Sequence, residues 1–209
     1  MKYTKTVREY CDKHKEEMLE VAKVKNDQFA DIPYKTLLKI LNRLEEERII
    51  TSVSKGIYYI GAERLDENEI ISKYTANGKG MFVGYSLFNA IGLTEYQDDK
   101  IEIYSNAISA NVHTVGRISV KRIDLKFNEK MVDLIALLEI LDAGADIEGC
   151  DYTTYLNVTT MLSRCYTDRL FEKIIKAIKY QYSTIMRLSN LLRKNHIENN
   201  CLDLYKENQ

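Results

Sequence analysis

Tryptophan is missing from the 209 residues, proline occurs once, and histidine and cysteine occur only three and four times. The cysteines, Cys11, Cys150, Cys165 and Cys201, are far apart and form no paired motif. Only Cys11 lies close in sequence to a histidine, His14, and no second pair completes the ligand set of a zinc site. The thiols therefore read as buried or idle groups in a reducing compartment. His14, His113 and His196 are equally scattered. No nucleophile elbow, metal motif or spaced carboxylate motif accompanies them, so no enzyme, catalytic residue, metal or cofactor is expected. The Asp98-Asp99 pair in TEYQDDK reads as a solvated loop. The glycine-rich stretch Asn77-Gly78-Lys79-Gly80 has neither Walker spacing nor the dinucleotide fingerprint, and reads as a plain turn. Long uncharged apolar runs are absent as well, which leaves no membrane span. The opening MKYTKTVREYC has no apolar run of the kind a secretion signal carries. A soluble cytoplasmic protein is the expectation.

Charge of either sign is nearly balanced, with 30 Lys+Arg against 31 Asp+Glu and a net charge of −1. That argues against a chain coated in basic residues for nucleic acid. The average hides an asymmetry. Residues 1–61 hold 12 basic and 10 acidic side chains, residues 62–159 hold 9 and 16, and residues 160–209 hold 9 and 5. The acidic surface is central and the ends are mildly basic, so nucleic-acid contacts are expected from a terminal part, through local patches. With 45% hydrophobic and 29% charged residues the chain is expected to bury a core.

The most organised stretch is Asp31 to Ile60, DIPYKTLLKILNRLEEERIITSVSKGIYYI. Asp31 is placed to cap a helix and Pro33 suits its first turn. Leu37, Leu38, Leu41 and Leu44 recur at helical spacing, and Lys35, Thr36, Lys39, Asn42 and Arg43 fall on the opposite face. After Glu45 to Arg48, Ile49, Ile50 and Val53 read as a strand, Ser54-Lys55-Gly56 as a tight turn, and Ile57 to Ile60 as the return strand. Upstream, Thr4 to about Met18 reads as a helix capped by Thr4 or Thr6, with Val7, Tyr10, Cys11 and His14 near one face. Glu17 to Val24 suits strand or helix, Asn26-Asp27-Gln28 a turn, and Phe29 packs under the next helix. A helix with a polar, basic outer face followed by a basic-tipped hairpin is the layout of a winged helix-turn-helix. On that reading Lys35, Thr36 and Lys39 meet base edges and phosphates, Asn42 and Arg43 lie further along, and Lys55 touches the backbone. Tyr34 suits a phosphate contact or a core position equally. A solvated helix face is the ordinary alternative for all of them.

Gly61 to Asn68 is a polar connector, which divides the chain into residues 1–61 and 69–209. Glu69 to Tyr74 suits a short helix or strand. Met81 to Leu93, MFVGYSLFNAIGL, reads as a buried strand or turn leading into a helix that Gly92 ends. Lys100 to Tyr104 alternates as a strand, and Asn111 to Leu125 as a hairpin bent at Val115-Gly116, with a slip in phase that admits a bulge. Arg117, Lys121 and Arg122 give that hairpin a basic side. From about residue 127 the chain turns helical: KMVDLIALLEILDAG to Gly144, Tyr152 to Tyr166, and one long helix from Asp168 to about His196. Lys173, Lys176 and Lys179 lie off the apolar stripe of that last helix, and Leu202 to Gln209 are expected to fray. The fold class is α+β: a winged helix-turn-helix, then a mixed α/β second domain ending in helices.

Two motifs in this order carry a resemblance. Lys55-Gly56-Ile57-Tyr58 closes the hairpin, and Gly84 is followed by Ala90-Ile91-Gly92-Leu93-Thr94. Over roughly Thr4 to Asp124 the chain resembles the AbiEi-type antitoxins of bacterial abortive-infection systems. It departs from them at Ile91, where leucine is more usual, and at Glu95-Tyr96-Gln97, where the family often continues with Thr-Gln. The resemblance implies a type IV toxin–antitoxin pair acting in phage resistance. The winged helix would bind operator DNA, as inverted repeats in its own promoter, and repress the operon. The C-terminal domain would counter a nucleotidyltransferase toxin, with no stable complex required; the basic side chains Arg117, Lys121, Arg122, Lys173, Lys176 and Lys179 are the candidates for that surface. The alternative is a winged-helix transcriptional regulator whose second domain senses a ligand or recruits a protein.

Overall fold

The computed structural model describes residues 2–144 and 147–208. It is an α+β fold, with ten α-helices and two small sheets among the described residues. No helix in it is long and apolar enough to cross a membrane.

Helix α1 (Lys2–Lys13) buries Val7 and Cys11, one turn apart. Thr4 and Thr6 lie inside this helix, so neither caps it; the Thr6 hydroxyl bonds back to the Lys2 carbonyl. The helix ends earlier than the expected Met18. Glu16 takes a left-handed backbone (φ 65°), and Glu16 and Glu17 exchange backbone hydrogen bonds with Ile60. That pairing recruits strand β1 (Met18–Glu20), and helix α2 (Val21–Asp27) follows at once. The ambiguous Glu17–Val24 stretch is thus both strand and helix. Asn26 and Asp27 complete α2 instead of forming a turn.

Helix α3 (Tyr34–Glu46) begins after Pro33, whose carbonyl accepts from the N–H groups of Thr36 and Leu37 at 2.8 and 2.9 Å. Asp31 makes no cap; no side chain caps this end. Leu37, Ile40, Leu41 and Leu44 are buried against Val7, Cys11, Leu19, Phe29, Ile50 and Tyr58, while Leu38 is only partly covered. Arg48 (φ 57°) reverses the chain, and the Ile49 N–H closes on the Leu44 carbonyl at 2.9 Å. Ile49 and Ile50 belong to this turn, so strand β2 spans only Thr51–Ser54 before β3 (Ile57–Tyr59). The two-residue tip places Gly56 at φ +79°, a conformation that L side chains rarely adopt. The sheet is antiparallel in the order β1-β3-β2.

Helix α4 (Glu67–Thr75) starts with a capping box in which Asp66 and Glu69 bond each other's backbone N–H groups. Strand β4 (Gly80–Val83), helix α5 (Gly84–Ala90), and strands β5 (Ile101–Ser105), β6 (Val112–Val115) and β7 (Ile118–Arg122) follow. The second sheet is mixed, in the order β4-β5-β7-β6, with β5 parallel to β7 and the other pairs antiparallel. Pairing of β6 with β7 runs without a break from Val112↔Lys121 to Val115↔Ile118, so the slip in phase marks the end of the strand and no bulge. One sheet face packs Ile103, Ile118 and Val120 on Ile70 and Tyr74; the other turns Met81 and Val83 toward the helical part.

That part centres on α6 (Glu129–Ala143), capped by Asn128 and buried along most of its length. Around it lie α7 (Tyr152–Ser163), α8 (Asp168–Ala177), α9 (Tyr182–Lys194) and α10 (Cys201–Glu207). The single long helix expected over Asp168–His196 is two helices. Ile178 and Tyr180 are both buried, and residues two apart share one side on an extended backbone but not on a helix. Ile178 accordingly takes φ −122°, ψ 124°. The expected frayed end is also structured: α10 buries Cys201 and Tyr205, and Gln209 alone of that stretch lies outside the described residues.

Candidate nucleic-acid interface

The apolar side of α3 is fixed by the core, so its outer face is set by default. Lys35, Lys39, Asn42 and Arg43 are exposed there and Thr36 is half-buried. Lys35 and Lys39 are one turn apart and project from one side of the helix. Tyr34, 53% exposed, belongs to the surface and not to the core. The N–H groups of Tyr34 and Lys35 have no acceptor among the described residues, leaving the positive end of the helix dipole open beside the two lysines.

Lys55 occupies the hairpin tip and is exposed. The tip is anchored where Gly56 accepts the Val21 N–H at 2.9 Å, which ties the hairpin to the start of α2. Among the described residues Lys35, Lys39 and Lys55 make no ion pair. Arg43 differs. Its Nε lies 3.0 Å from Glu47, whose other oxygen pairs with Arg8, so Arg43 is held toward the C-terminal end of α3. The outer face of α3 therefore offers two unneutralised cations, free helix N–H groups and polar side chains, which suits a polyanion such as a phosphate backbone, and the hairpin tip carries a third such cation.

The second group of basic residues is dispersed. Arg117, in the β6–β7 turn, makes a two-pronged pair with Glu67 at 2.6 and 2.8 Å, and that bond holds the Glu67 carboxyl below its ordinary range. Lys121 and Arg122 are neighbours on β7 and so point to opposite faces. The Lys121 ammonium sits over the Tyr104 ring at 5.4 Å, while Arg122 pairs with Asp124 at 2.9 Å and donates to the Ser109 carbonyl. Lys176 pairs with Glu172 at 2.6 Å, and Lys179 lies in the link after α8. Lys173 is exposed at a groove of about 650 Å³ between α6, α7 and α8. The fold does not gather these six side chains onto one surface.

Contacts between the first 61 residues and the rest involve the hairpin, β1 and the turn before β1. The Glu20 carboxylate accepts from the Ser109 N–H at 2.9 Å and from its hydroxyl, and the Lys73 ammonium donates to the Glu16 carbonyl at 2.7 Å. Ser54, beside the tip, lies 3.3 Å from His113 on β6. Burial holds the His113 imidazole below its ordinary pKa, against a smaller opposing pull from Glu20.

One group that belongs to no sequence motif is Glu139. It stands in the run LIALLEILDAG, an acidic residue within a helix buried on most sides, which is the signal that singles it out. No protein-family model matches the chain, and a search of curated proteins returns no match.

Proposed function

We propose that the chain is a DNA-binding antitoxin and autorepressor, with residues 1–61 forming a winged helix-turn-helix and residues 69–209 countering a nucleotidyltransferase toxin. The observation that carries the DNA-binding half is the set of exposed lysines Lys35, Lys39 and Lys55, on the outer face of α3 and at the tip of the hairpin that follows it, with no ion pair among the described residues. The order α1, β1, α2, α3, β2, β3, in which a helix is followed by a hairpin whose sheet β1 closes, supports this reading. On this reading α3 enters the major groove, Lys35, Thr36, Lys39 and Asn42 meet bases and phosphates, and Lys55 holds the flanking backbone. Arg43 serves the helix end through Glu47 and contributes less. Inverted repeats in the promoter are met by two copies.

The antitoxin half rests on the resemblance to AbiEi-type proteins. Its motif glycine Gly84 has a physical reason in the fold. It opens α5 at φ +58°, and a Cβ there would meet a Glu102 carboxylate oxygen at 2.6 Å. The test is binding of the purified chain to its own upstream DNA and to a random duplex, at several salt concentrations. Preference for the upstream DNA is expected. The Lys35→Ala, Lys39→Ala, Lys55→Ala triple variant should flatten the salt dependence by about 0.9 log units for each phosphate that is no longer neutralised. Equal affinity for the two duplexes, or an unchanged slope in the triple variant, would overturn DNA reading by this face. Failure of the full chain to rescue cells expressing the toxin encoded beside it would overturn the antitoxin half alone.

A further inference from the structure

Helix α6 buries Ala136, Leu137, Leu138, Ile140 and Leu141 almost completely, and Glu139 stands among them. Its Oε1 accepts from the hydroxyls of Tyr104 at 3.2 Å and Tyr180 at 2.8 Å. Its Oε2 has no hydrogen-bond partner, and neither oxygen has a cation within ion-pairing distance, among the described residues. A partly buried carboxylate without a counter-cation in direct contact is unfavourable, and two tyrosine hydroxyls hold this one in a fixed orientation.

Glu139 lines a cleft of about 250 Å³ beside the second sheet. The parallel register of β5 with β7 places Glu102 beside Ser119 and Tyr104 beside Lys121, and all four line the same cleft. Val83 and Val112 supply apolar walls. Lys121 lies over the Tyr104 ring and has no carboxylate within ion-pairing distance among the described residues. The cleft thus holds two carboxylates and one ammonium with no direct ion pair between them among the described residues, although Lys121 is near enough to pull the Glu139 pKa down in part. Its volume is below the range of drug-sized pockets, which limits the occupant to a metabolite of a few heavy atoms.

We propose that this cleft binds a small zwitterion of the amino-acid type, with its ammonium on Glu139 and Glu102 and its carboxylate on Lys121 and the Ser119 hydroxyl. A simple amine leaves Lys121 unanswered, and a simple carboxylate meets two groups of its own sign. A ligand carrying both charges satisfies each side. The site is independent of whether α3 reads DNA.

The test is ligand-observed NMR on the full chain against the common amino acids, with a short diamine and acetate as controls that carry charge of one sign only. At least one amino acid should bind saturably at millimolar concentration, and both controls should bind more weakly. Glu139→Gln and Lys121→Met should each weaken binding by about tenfold or more, the loss expected on removal of one charged hydrogen-bonding partner. Lys121 is exposed, so its variant keeps the fold and reports even if the Glu139 variant does not. Binding by no amino acid, binding unchanged in Lys121→Met, or equal binding of the diamine or of acetate would each overturn the proposal.

Discussion

Tyr205 measures whether the C-terminal helix is part of the core. Its side chain is 8% exposed, its ring lies 6.1 Å from that of Tyr182, and its hydroxyl donates to the Tyr180 carbonyl at 2.7 Å. That carbonyl sits in the link between α8 and α9 and accepts no other hydrogen bond among the described residues. Tyr205→Phe keeps the ring and orphans the carbonyl, which should lower stability by about 1–2 kcal/mol. Tyr205→Ala also removes a buried aromatic ring and should lower stability by about 3–5 kcal/mol. Against a typical total of about 5–15 kcal/mol, the larger loss is a substantial fraction of the whole. Urea unfolding followed by far-ultraviolet circular dichroism reads both, as shifts in midpoint at constant slope. If both variants unfold within about 0.5 kcal/mol of the parent, α10 contributes nothing to the fold and the reasoning fails.

Two other residues give separate tests. Arg48 is exposed and left-handed at φ 57°, with no ion pair among the described residues, so Arg48→Gly should raise stability by about 0.5–1 kcal/mol once the greater freedom of unfolded glycine is deducted. A lower melting temperature would show that the arginine side chain matters more than its backbone strain. Burial, the largest influence, holds the Glu139 carboxyl above its ordinary pKa, and the hydrogen bonds from Tyr180 and Tyr104 pull it back only in part. The folded chain therefore keeps this proton more tightly than the unfolded chain. The resulting penalty is absent below the ordinary glutamate pKa of about 4.5 and is complete once pH has passed the raised folded value. Glu139→Gln should accordingly gain on the parent between pH 4.5 and pH 7.5 in thermal unfolding; a relative loss over that interval would reverse the assigned sign.

The outer face of α3 was readable because its lysines alternate with leucines at helical spacing, and exposure follows once Leu37, Leu41 and Leu44 turn inward. The hairpin was readable from Lys55-Gly56, and the end of α5 from Gly92. Other boundaries depended on distant partners. The spacing of α1 continues through Met18, yet Ile60 claims the chain at Glu16 and Glu17 and makes a strand of Met18 to Glu20. Helical spacing likewise runs through Ile178, yet burial of Tyr180 beside Glu139 breaks the helix there. Asp31 is a good capping residue by type, but Pro33 fixes the approach to α3 and no side chain closes that end.

Local preference alone settled most of the helices, the two hairpins, the turn glycines and the sign of the exposed face on α3, because each depends on residues within a few positions of one another. The tertiary structure decided which basic residues stay free. Arg117 is neutralised by Glu67, fifty positions away, while Lys35, Lys39 and Lys55 find no partner among the described residues. It also decided that β5 runs parallel to β7, and that pairing places Glu102, Tyr104, Ser119 and Lys121 around one cleft with Glu139. Parallel neighbours joined through another strand carry no short-range signature, since only closure of the whole sheet brings their side chains together.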